Sequence, residues 1–137
     1  MTQTEKMTYG NAVNTSLSYT AAVERVRDLL KENGFGVLCE IDVAKTMREK
    51  IDKPFRPYLI LGACNPQLAY RALTEEAQLG LLLPCNVVVQ DVDGQIVVSA
   101  VNAQAMLGVV GNANLTPVAD DANERLMRVL DGIATAS

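Results

Sequence analysis

The sequence predicts an α+β domain with a single, mainly antiparallel sheet and its helices packed on one face. Three observations carry this. Two β-branched runs, residues 85–92 and 95–101, flank Asp93-Gly94, a dipeptide suited to a type I′ hairpin turn. From residue 13 onward, helical apolar stripes and strand-like alternation succeed one another with no Pro/Gly/Ser linker. The chain has 137 residues, 49% of them apolar, which suits one domain with a real core.

Residues 1–10 read as a flexible polar tail and 11–137 as one domain. Val13 to Ser18 forms an opening strand. From Tyr19, apolar residues at 19, 22, 23, 26, 29 and 30 mark one helical face, which Ser18 or Thr20 caps and Gly34 terminates. Phe35 to Val43 alternates as a strand, with Val37, Cys39 and Ile41 on one side and Leu38, Glu40 and Asp42 on the other. Asp42 then caps a short helix carrying Val43, Met47 and Ile51. After Pro54 and Pro57 comes a strand from Tyr58 to Ala63. Asn65-Pro66 starts a helix that extends toward Gly80. The hairpin follows, then a short helix over 103–110. Thr116-Pro117 repeats the cap-plus-proline signature before a terminal helix with Val118, Ala122, Leu126, Val129, Leu130 and Ile133 on one side. A sheet this rich in valine, covered on one face only, calls for a partner, and a homodimer through the bare face is the natural remedy.

Composition narrows the function. There are 12 basic and 16 acidic residues, with no basic cluster to track phosphates, so no nucleic-acid partner is expected. No apolar run approaches the ~20 residues that span a bilayer, and the N-terminal stretch has no secretory h-region. A soluble, cytoplasmic protein is the expectation. The three cysteines, Cys39, Cys64 and Cys85, are an odd count and point away from a disulfide framework. Histidine is absent, which removes Ser-His and Cys-His nucleophile pairs and every His-based metal site. Gly108-Val-Val-Gly111 lacks the lysine and the strand-to-helix context of a phosphate loop, and no cofactor is expected.

Two constellations remain. Cys64-Asn65-Pro66 closes one strand and Pro84-Cys85-Asn86 opens the next, so antiparallel pairing would bring both sulfurs to the same end of the sheet. At a helix N-terminus, Cys64 would have a lowered pKa, and the two thiolates could form a reversible disulfide or hold a soft ion such as Cu(I). Equally, the cysteines can be small core hydrophobes and the asparagines backbone caps. Glu40 and Asp42 share a strand face and could serve acid/base or cation chemistry, or simply pair with Arg56, Lys45 or Arg71. Arg56, Tyr58 and Arg71 could contribute to an anion pocket. Met47 and Met106 read as core.

The strings Gly34 to Val43, Phe55 to Pro66 and Leu81 to Val89 resemble a bacterial and archaeal family catalogued as domain of unknown function 302. The resemblance covers roughly residues 13–133. It implies a β-α-β4-α-type domain similar to the TATA-binding-protein-like fold, with extra short helices, forming homodimers and without implying DNA binding. The family pattern is kept at Glu40, Asp42, Cys64-Asn65 and Cys85-Asn86, while Cys39 is peculiar to this chain. No activity comes with the family. The favoured reading is a non-catalytic dimeric domain that binds a small ligand or partner. A thiol redox or soft-metal protein is the alternative, and an enzyme with Glu40 as base is the weakest.

Overall fold

The computed structural model describes residues 4–137. The elements are β1 (Thr4–Lys6), β2 (Gly10–Thr15), α1 (Tyr19–Glu32), β3 (Gly36–Asp42), α2 (Val43–Ile51), β4 (Tyr58–Cys64), α3 (Pro66–Glu75), β5 (Cys85–Val92), β6 (Gln95–Val101), α4 (Ala103–Gly108) and α5 (Thr116–Ala134). Short 3₁₀ turns, Ala77–Leu82 and Ala113–Leu115, precede β5 and α5. The strands form one sheet in the order β1-β2-β6-β5-β4-β3, every neighbour antiparallel.

Local chemistry sets most boundaries as the sequence predicts. The side chains of Ser18, Asp42 and Asn65 accept bonds from the N–H groups of Ala21 (3.2 Å), Lys45 (3.0 Å) and Leu68 (3.1 Å). Asp93 and Gly94 both take positive φ at the hairpin turn, and Asp91 accepts the Gly94 N–H at 2.8 Å.

Four expectations are corrected. Thr4–Lys6, read as part of a loose tail, pairs with β2 as an edge strand, where polar residues are at home; residues 1–3 of that tail lie outside the described residues. The helix toward Gly80 stops at Glu75, because Glu76 is extended and the tighter turn that follows buries Leu79. Thr116 does not cap α5 but is already helical. The 3₁₀ turn before it, capped by Asn112, runs straight into the helix, and Pro117 has no N–H to satisfy.

The fourth correction is the alternation of β3. Val37 pairs with Ala63 and Cys39 with Gly62, so Leu38 is the extra residue of a β-bulge. The slip moves Val37 onto the same face as Glu40 and Asp42 and leaves Cys39 and Ile41 on the other.

The two faces of the sheet differ. Val13, Leu59, Leu61, Val87, Val89 and Val98 lie on one face and are buried beneath α1 and α5, whose Val26, Leu30, Leu126 and Leu130 complete the core. The opposite face carries Ile41, Ile60, Val88, Val92 and Val97, all half-buried or exposed although most belong to interior strands. Helices on one face of a six-stranded antiparallel sheet confirm the predicted fold class.

Candidate functional site

The chain turn between β4 and α3 brings the first constellation together. Cys85 opens β5 directly opposite Ala63, and Cys64, Asn65 and Cys85 line one cavity of about 300 Å³. Its other walls come from α3 (Leu68, Ala69, Ala72, Leu73), the segment ahead of β5 (Leu83, Pro84), and Phe35, Met106, Leu107 and Val118. The bulge in β3 turns Leu38 to the mouth, where it stands 69% exposed. None of the lining residues is charged.

The thiols do not behave as helix-dipole chemistry alone predicts. Burial pushes the Cys64 thiol up, and it pushes Cys85 further, from its ordinary 9 to about 11, with the nearby Cys64 adding to the rise. Both are protonated near neutrality, the reverse of what a thiolate centre needs. All three cysteines are free, and among the described residues no group of three or more His, Cys, Asp or Glu side chains could hold a metal ion. The redox or soft-metal reading is not supported.

A pH prediction follows. The folded state disfavours the Cys85 thiolate, so its contribution to stability is whole below pH 9 and is lost as pH rises from 9 through 11. Chemical denaturation across that window should show a stability loss that Cys85→Ala largely removes. An equal loss in the variant would mean that Cys85 is not the group responsible.

The other predicted site residues are placed elsewhere. Asn86 pairs with Gly62 and is exposed on the bare face, away from the cavity, because the pleat alternates sides between Cys85 and Asn86. Glu40 takes neither Arg56, Lys45 nor Arg71 as partner but Arg27 of α1, since its face of β3 lies toward that helix. Asp42 holds the α2 cap as expected, and both carboxylates border a shallow hollow with Lys45, Thr46 and Glu49.

Arg56 and Tyr58 sit at the opposite end of β4 from Cys64, roughly 20 Å away at the usual rise per strand residue. There the Arg56 guanidinium stacks 4.6 Å from the Phe55 ring centre, and its Nε donates to Gln90 Oε1 at 2.9 Å. Arg71 lies apart from them, beside Glu75 and Asn114, so the three do not form one anion pocket. Sequence reasoning missed Leu38, Leu73 and the cavity role of Met106. The bulge that positions Leu38 leaves no mark in the alternation, whereas Met106 could have been flagged by its place in a helix too short to be wholly core.

Among the described residues no helix is long and apolar enough to cross a membrane. No curated protein matches the chain. A crystal structure of an uncharacterized conserved protein DUF302 from Bacillus stearothermophilus is similar over 90% of this chain and 97% of that one, at 32% identity and a TM-score of 0.85. The model of the family described as domain of unknown function DUF302 matches residues 11–133, and the chain therefore belongs to that family.

Proposed function

We propose that this domain is a non-catalytic binding module: a homodimer through its bare sheet face that takes a small apolar ligand into the cavity beside Cys64 and Cys85. The observation that carries the ligand reading is the cavity itself, concave, about 300 Å³, and walled by Leu68, Leu73, Leu83, Leu107 and Phe35 without a charged side chain. The dimer reading is supported by Ile60, Val88 and Val97, which lie on interior strands yet are only half-buried. Three free thiols in a chain this small support a reducing, cytoplasmic setting.

Methyl-labelled NMR with a mixed set of aliphatic and aromatic probes tests the ligand reading. Shifts that saturate and concentrate on Leu68, Leu73, Leu83, Met106 and Leu107 are expected. If no probe moves these methyls, or the shifts spread evenly over the surface, the cavity is not a ligand site.

A further inference from the structure

Building on the cavity reading, we infer that the ligand is a neutral aliphatic molecule with one chain of about ten to twelve carbons. Size comes first. A dry cavity of about 150 Å³ holds benzene. By that measure a cavity of about 300 Å³ takes roughly twice six carbons.

Shape and polarity narrow the class. Beyond Cys64, Asn65, Gly80 and Cys85, the lining is leucine, alanine, valine, proline and methionine with a single aromatic ring, Phe35. A flat ring system would have no second aromatic face on which to stack, whereas a flexible chain fills an irregular aliphatic wall with a methionine in it.

Charge settles the head group. A carboxylate drawn into this site would meet no lining cation, and an unpaired buried charge is costly. Arg125 approaches Asn65 around Gly34 but does not line the cavity. Its guanidinium is already committed, Nε to Asp121 at 2.7 Å and an Nη to the Asn33 carbonyl at 2.9 Å. Asn65 spends Oδ1 on the Leu68 N–H and keeps its amide nitrogen beside Gly34 and Arg125, so the cavity walls offer no polar group for an anion.

Titration calorimetry on the whole chain near pH 7.5, with hexanol, octanol, decanol, decanoate and naphthalene as probes, tests the class. Affinity should rise about three- to fourfold per methylene up to decanol. Decanoate should bind at least about tenfold more weakly than decanol. Ala69→Leu, a good helix former at a half-buried wall position, should weaken decanol by about tenfold or more by occupying its volume. Should that variant fail to fold, saturable decanol-induced methyl shifts at Leu68, Leu83 and Leu107 in the unaltered protein replace it. Decanoate binding as tightly as decanol, naphthalene binding more tightly, or no gain with chain length would overturn the class and leave the cavity reading standing. No probe shifting the cavity methyls would end both.

Discussion

Leu61→Ala is expected to lower the unfolding free energy by about 2–5 kcal/mol, the usual cost of emptying a fully buried leucine site. Leu61 is wholly inaccessible on β4, one of the inner strands, and pairs in register with Glu40 on one side and Val87 on the other, beneath the helical layer. The close-packed surroundings cannot collapse around the void, because the sheet fixes them on both sides. Typical domains have only about 5–15 kcal/mol in hand, so a large share of the total is at stake. Urea denaturation should show a lower midpoint at unchanged slope. The adjacent Ile60 is the internal control, since it points to the other face and is only half-buried. Ile60→Ala should cost clearly less in the same assay at low protein concentration, and equal losses would mean that the two faces have been misassigned.

The second large effect concerns assembly. Ile60 and Val88 are cross-strand partners in the middle of the bare face, and replacing both with lysine should turn the proposed homodimer into a folded monomer. In a two-fold interface the same patch meets itself, so four ammonium groups would be brought together out of water. A desolvation penalty of several kcal/mol raises the dissociation constant by more than about a thousandfold. Sedimentation velocity over a concentration series reads the outcome, with circular dichroism to check that the fold persists. An unaltered protein that is monomeric at the highest concentration, or a double-lysine variant that stays dimeric, would each defeat the dimer reading.

Apart from β1, the order of elements and most of the caps were legible because they rest on local chemistry. Asp93-Gly94 can hardly be anything but a tight turn, and Asn65-Pro66 satisfies a helix start within four residues. The pairing of Cys64 and Cys85 was legible too, since antiparallel strands joined by one helix must place the end of one beside the start of the other. What escaped depends on tertiary surroundings. The bulge at Leu38 is a register slip that only the partner strand reveals. The rise in the Cys64 and Cys85 pKa values comes from burial, which depends on residues distant in the chain and is not visible in sequence. Glu40 met Arg27 instead of the expected partners because α1 crosses above β3, a matter of packing and not of spacing.

The slip at Leu38 also bears on how copies of this chain can add to one another. β3 is the outermost strand on its side of the sheet, with one row of backbone donors and acceptors facing outward. A bulge breaks the spacing of that row, so an incoming strand in regular register cannot satisfy both halves of it. Lengthening the sheet sideways into a ribbon is thereby handicapped. The face-to-face association proposed above uses up its own surface when two copies meet, and growth that begins on the broad side of the sheet ends there.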